Sequence, residues 1–201
     1  AAEITASGDI TDTLLHWSLD SDGALFITGA GSMPDAAASE NVPWHAYRSQ
    51  ITSVYIEEGV TGVGAYAFSE CAMLKYAILP ASIVQIGEQA FANCTGLQLI
   101  QFLGLAPEMA DNCMIGVDTD CYYPHGTDSW TLNDLQPYGG NPNWIAAEQN
   151  IRGTCGEKVY WLMTWDSEVI IFGYGEMTQF PTAKDAPWYL EKDRIRIVDV
   201  K

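Results

Sequence analysis

Positive charge is scarce in this sequence: 9 Lys and Arg stand against 26 Asp and Glu, giving a formal net charge of −17. So acidic a chain repels phosphate backbones and anionic lipid, so neither nucleic acid nor polybasic membrane docking is expected. No apolar run approaches the roughly 20 residues needed to cross a bilayer, so no membrane span is expected. Charged residues reach only 17% of the chain, where average usage is about 25%. Zinc-type spacing is missing too. The five cysteines, Cys71, Cys94, Cys113, Cys121 and Cys155, include no Cys-x-x-Cys pair and no histidine at ligand distance, so no metal is expected. An odd number of thiols, two of them at a repeat period, points to buried small hydrophobes rather than a disulfide framework. Phosphate-binding glycine loops and dinucleotide fingerprints are absent as well, so no cofactor is expected.

What is present is hydrophobic mass, at 48% of residues, and it is periodic. The segment 56–74 recurs 23 residues later as 79–97. Val60 meets Ile83, Val63 meets Ile86, Gly64 meets Gly87, Ala67 meets Ala90, Phe68 meets Phe91, Cys71 meets Cys94, and Leu74 meets Leu97. A third copy is degenerate: Met109, Ala110, Cys113 and Met114 take the places of Ile86, Gly87, Ala90 and Phe91. Self-similarity at this period is the signature of a solenoid, in which each unit buries its apolar face only against the next. The stretches 54–56, 77–79 and 100–102 read as short strands with alternate residues inward. The Ala-Phe-x-x-Cys-x-x-Leu segment, apolar every third or fourth residue, predicts a short helical turn on the outer side.

A longer duplication frames the array. Trp17 matches Trp161, Ile27 matches Ile171, and Gly29-x-Gly31-x-Met33 matches Gly173-x-Gly175-x-Met177, all 144 residues apart. Pro43-Trp44, Ile51 and Val54 match Pro187-Trp188, Ile195 and Val198 in the same way. Alternating runs on either side of Asp20-Ser21-Asp22-Gly23 predict a β-hairpin. Pro-Trp then reads as a loop entering a short helix. Four segments follow: a hairpin capping unit at 1–50, a solenoid at 51–125, an aromatic-rich cap or connector at 126–150, and a second hairpin unit at 151–201. The chain opens at Ala1-Ala2-Glu3 without Met or an apolar leader, as expected of a processed or leader-free chain. The second hairpin unit reaches Lys201, the equivalent of Glu57, where a further solenoid turn is expected. A truncated unit from a longer protein is the reading.

The motif Ile86-Gly87-x-x-Ala90-Phe91-x-x-Cys94-x-x-Leu97, its copy from Val63, and the flanking Gly-x-Gly-x-Met, Pro-Trp and Tyr-Tyr-Pro-x-Gly segments resemble the BspA-like leucine-rich-repeat family of bacterial surface proteins. The resemblance implies an α/β solenoid: a short leucine-rich-repeat β/α superhelix, here flanked by duplicated β-hairpin units. It also implies export to the cell surface, with adhesion to host matrix proteins or other bacteria among the family's roles. Two good repeats and a decayed third make only a short concave surface.

The residue patterns offer no convergent catalytic constellation. Glu57-Glu58 are adjacent on a strand end, so their side chains diverge, whereas a glycosidase pair must converge. Asp20-x-Asp22-Gly23 resembles the opening of a calcium loop but lacks its later ligands, and a hairpin turn explains it. His45 follows Pro43-Trp44, but the second copy has Tyr189 there, which fits packing. No catalytic residue is expected, and the chain reads as non-enzymatic, an acidic glycoside hydrolase being a remote alternative. The outward strand positions Ser53, Tyr55, Glu57, Tyr76, Ile78, Leu99 and Gln101 are expected to line one concave strip. Its partner-binding members are Tyr55, Tyr76, Ile78, Leu99 and Gln101, an apolar set of the kind that binds partners. The expected partner is a host or bacterial surface protein or a glycan, outside the cell. A structural spacer is the alternative, with neighbouring domains or the hairpin units covering the strip.

Overall fold

Alternation and repeat period together dictate strands that stack in parallel, and the computed structural model shows them. It describes residues 2–201, without the side chains of 149–151. The described chain divides into two units, one reaching Tyr123 and including 127–144, the other made of 124–126 and 145–201.

In the first unit, β1 (Ile4–Asp9), β2 (Leu14–Asp20) and β3 (Ala24–Ser32) form an antiparallel meander. The predicted hairpin turn joins β2 to β3. The Asp20 carboxylate accepts from the Asp22 and Ala24 N–H groups at 2.9 Å each, so it serves the turn. From β3 the chain changes to parallel pairing. The coils contribute β4 (Ser53–Ile56), β6 (Tyr76–Leu79), β8 (Leu99–Phe102) and β10 (Asp118–Pro124) to one ladder. A second ladder, which the sequence reading did not separate from the first, runs through β3, β5 (Val60–Val63), β7 (Gln85–Ile86) and β9 (Glu108–Met109).

The predicted outer helix is corrected. No α-helix occurs among the described residues, and the only helical pieces are three-residue 3-10 turns such as His45–Tyr47. The Ala-Phe-x-x-Cys-x-x-Leu segment is instead a staircase of turns, with N–H groups of Ala67, Ser69, Cys71 and Leu74 each bonded three residues back. Between these, Tyr66, Phe68 and Glu70 donate to the next coil at Glu88, Ala90 and Ala92, over 2.8–2.9 Å. Left-handed φ angles near 60° at Tyr66 and Glu70, repeated at Gln89 and Asn93, turn alternate amides outward. That conformation costs a non-glycine residue about 1–2 kcal/mol. The inter-coil bonds offset the cost, and an α-helix would have forfeited them. Apolar spacing of three is shared by both geometries, so periodicity could not tell them apart.

Packing follows the register. Trp44 stacks on Phe68 at 5.8 Å and Phe68 on Phe91 at 5.4 Å, with Met114 buried in the third coil. Each buried Phe contributes roughly 1.5–3 kcal/mol. Cys71 and Cys94 are both free and buried in the same core. Gly64 and Gly87 are required by close approach, since a Cβ would lie 2.1 Å from the Pro34 carbonyl or 2.6 Å from the Ala65 nitrogen. Past the third coil, Phe102, Tyr123, Trp130 and Trp144 pack with ring centroids 5.1–6.5 Å apart. The Trp130 indole donates to the Gly104 carbonyl at 3.0 Å.

The second unit contains β11 (Asn141–Thr154, shared with the first), β12 (Gly156–Thr164), β13 (Glu168–Met177) and β14 (Ile197–Val200). β11, β12 and β13 pair antiparallel, and β13 pairs parallel with β14. Glu168 faces Ile197 and Ile171 faces Val200, as Ala24 faces Ser53 and Ile27 faces Ile56 in the first unit. Gly29 and Gly173 share a positive φ, and a Cβ at either would meet a carbonyl at 2.2 and 2.1 Å. The duplication read from sequence is therefore one local fold used twice.

Candidate functional site

Strand alternation gives the main parallel ladder two faces. Val54, Ile56, Ala77, Leu79, Ile100 and Phe102 point into the coil core. The opposite face is built of two rows. One runs Ala24, Ser53, Tyr76, Leu99 and Asp120, and the other Phe26, Tyr55, Ile78, Gln101 and Tyr122. All five candidate partner residues lie on this face, as the alternation required. Phe26 and Tyr122 belong to it as well and were missed, although Phe26 sits at an alternate position of the hairpin strand.

Exposure separates these residues. Tyr76, Ile78, Leu99 and Gln101 are buried, at 8% exposure or less, while Tyr55 is half-buried and stacks on Phe26 at 5.3 Å. The strip is thus present as a face, and most of it is covered rather than open. Its apolar character, read from sequence as a binding property, is satisfied within this chain, except around Tyr55. The Ser53 hydroxyl, fully buried on the same face, has no hydrogen-bond partner among the described residues.

An accessible concavity lies elsewhere in the first unit. A cleft of about 260 Å³ is lined by Met33, Pro34, Val42 and Trp44, together with Asp35 and Ala67. The 3-10 turn after Pro43-Trp44 positions it, and the Trp44 indole is tied to the Ala67 carbonyl at 2.7 Å. Asp35 accepts from the Ala65 N–H at 2.7 Å. The cleft therefore offers apolar walls with its one acid already engaged, suited to holding an apolar side chain.

Several acidic and imidazole side chains are engaged within the fold. Glu58 accepts from the Ala81 and Ser82 N–H groups, and Glu57 is exposed apart from it. His45 bonds the Ser39 carbonyl through Nδ1 at 2.9 Å and lies against Arg48, His125 stacks on Trp165 at 3.7 Å, and His16 pairs with Asp9 on the surface. Burial pushes the Cys71 and Cys113 thiols up to about 12, and raises those of Cys94, Cys121 and Cys155. Thiols held protonated in this way are poor nucleophiles.

Parallel coils, stacked turns and a core of equivalent residues define a sheet-dominated repeat solenoid. Residues 44–116 match the family model described as "BspA type Leucine rich repeat region (6 copies)". This stretch therefore carries a BspA-type leucine-rich-repeat region. The match begins at Trp44, the first rung of the aromatic ladder, and ends at Gly116, after the third coil. Among solved structures, the chain is similar to a leucine-rich repeat protein from Eubacterium ventriosum ATCC 27560, at 17% identity and a TM-score of 0.48 over 81% of this chain and 49% of the other. It is also similar to a leucine rich cell surface protein from Faecalibacterium prausnitzii A2-165, at 14% identity and a TM-score of 0.29 over 85% of this chain and 62% of the other. The chain thus spans about half of the first of these proteins and under two thirds of the second. No curated protein matches it.

Proposed function

We propose that this chain is a non-catalytic protein-interaction module of a bacterial surface protein, working outside the cell in adhesion. A BspA-type repeat region points to a protein-interaction or surface function, and that assignment is the observation that carries the reading. The partner is a host or bacterial surface protein or glycan. Its contacts fall on Tyr55 with Phe26, the accessible edge of the strip, and on the cleft at Met33, Pro34 and Trp44. The buried members Tyr76, Ile78, Leu99 and Gln101 support that edge from within.

Immobilised chain incubated with purified matrix proteins and with mucin glycans tests the reading. Specific capture that is lost in Tyr55→Ser, with an unchanged melting temperature, supports it. Capture that survives both Tyr55→Ser and Val42→Asp places the contact elsewhere. The burial of four of the five strip residues favours a second reading, a spacer that holds other domains away from the cell wall. Absence of capture across both panels decides for the spacer.

A further inference from the structure

The two hairpin units are the same fold, yet their equivalent surfaces are covered to very different degrees. In the first unit Met33, Val54 and Ile56 are 3%, 0% and 6% exposed; their counterparts Met177, Val198 and Val200 are 46%, 52% and 71% exposed. The first three belong to one core cluster with Val60 and Val63 of the following coil. That coil also pairs Val60 with Gly31, accepts from the Gly31 N–H at the Gly59 carbonyl over 3.0 Å, and supplies the Ala67 carbonyl to the Trp44 indole.

In the second unit the same position is a cleft of about 230 Å³, walled by Ile171, Gly175, Met177 and Val200. The equivalents of its walls, Ile27, Gly31, Met33 and Ile56, are the residues that the first coil covers. Gly175 keeps the positive φ of Gly31, at 101° against 114°, so the strand end that receives a partner strand is already shaped. Lys201 donates to the Ile171 carbonyl at 2.9 Å, as Glu57 donates to Ile27 at 2.9 Å. Lys201 therefore holds against β13 the place that Glu57 holds against β3.

The geometry points to a coil-accepting face on the second unit: the cleft and the β14 edge receive a leucine-rich-repeat coil of the 23-residue type, joined in cis and running parallel. The second unit is then an initiating cap, able to start a repeat array just as the first does. This goes beyond the interaction reading and does not depend on it. The occupant is specified by its pattern: an apolar residue opposite Gly175, another three residues on to fill the cleft beside Met177, and a carbonyl within reach of the Trp188 indole. Val60, Val63 and Ala67 fulfil these three roles in the first unit.

The test appends the chain's own residues 58–124 directly after Lys201, which continues the register. Hydrogen exchange is compared between the full chain and the extended chain. Exchange at Val198, Asp199 and Val200 is expected to slow by at least about tenfold, with a blue shift of tryptophan fluorescence that is absent in a Trp188→Phe background. Val200→Asp in the extended chain is expected to abolish both, while exchange in β4, β6 and β8 stays unchanged. Unaltered exchange at β14 in the extended chain overturns the proposal. So does protection that persists in Val200→Asp, or protection that appears only with dimerisation, which would mean the coil is taken from a second copy.

Discussion

The first hairpin unit and its copy share strand register, glycine conformation and the Trp–Trp edge contact, at 6.3 Å in one and 5.9 Å in the other. They differ in what the same side chains touch. Met33 is core and Met177 is surface. Local sequence is therefore sufficient for the hairpin, its Gly-x-Gly bulge and the parallel return strand. Burial of the outer positions is a property of the coil that follows, and shared motif residues do not guarantee it. This is the nearest-neighbour logic of repeat proteins, in which interface terms add to intrinsic unit stability.

Alkaline pH should split the two most sharply. Four of the five buried cysteines lie in the first unit and only Cys155 in the second. Cys71 and Cys113 stay protonated up to about 12 when folded, against 9.0 for an ordinary thiol. Between those values the unfolded chain releases protons that the folded chain retains, so stability is full below pH 9 and falls as pH rises toward 12. Circular dichroism with site-resolved hydrogen exchange should show the first unit opening earlier along this ramp. Cys113→Ala and Cys71→Ala should flatten its slope. A second unit as sensitive as the first breaks the comparison.

Paired truncation comes next. Met33→Ala should cost about 2–5 kcal/mol, as core truncations do, while Met177→Ala should stay within about 0.5 kcal/mol. Urea unfolding followed in each unit reads both, and equal costs would mean the two faces are alike. The glycines should behave the other way. Gly29→Ala and Gly173→Ala each force a Cβ onto a carbonyl at positive φ, so both should destabilise their own unit by at least about 1–3 kcal/mol. The smallest effect is expected at Ser53→Ala. Removing a buried hydroxyl without a partner should leave stability unchanged or raise it by up to about 1 kcal/mol, and a loss of several would reveal an acceptor.

Much of this architecture was legible in the residues. The 23-residue period placed Phe68 beside Phe91, and the 144-residue offset placed Trp161 where Trp17 sits. Both arise from local patterns that recur, which a single sequence displays. The outer helix was misread because the step from Phe68 to Cys71 to Leu74 suits a turn staircase as well as a helix. The deciding factor, left-handed φ at Tyr66 and Glu70, leaves no mark in residue type. The strip at Tyr76, Ile78, Leu99 and Gln101 falls on the face that alternation assigns, while its exposure stayed open between a binding strip and a covered one. Alternation states which way a side chain points and says nothing of what lies beyond it. The cleft at Met33 and Trp44 was invisible for a related reason, since it depends on how the irregular stretch 33–44 folds around Ile10 and Ala67.

The central claim is that successive coils hold equivalent side chains in direct contact. A double-mutant cycle on Phe68→Leu and Phe91→Leu measures it, read by equilibrium urea unfolding. Stacked rings predict a coupling of about 0.5–1.5 kcal/mol beyond the sum of the single losses. Losses that simply add, with a coupling under about 0.3 kcal/mol, would contradict the stacked-coil account.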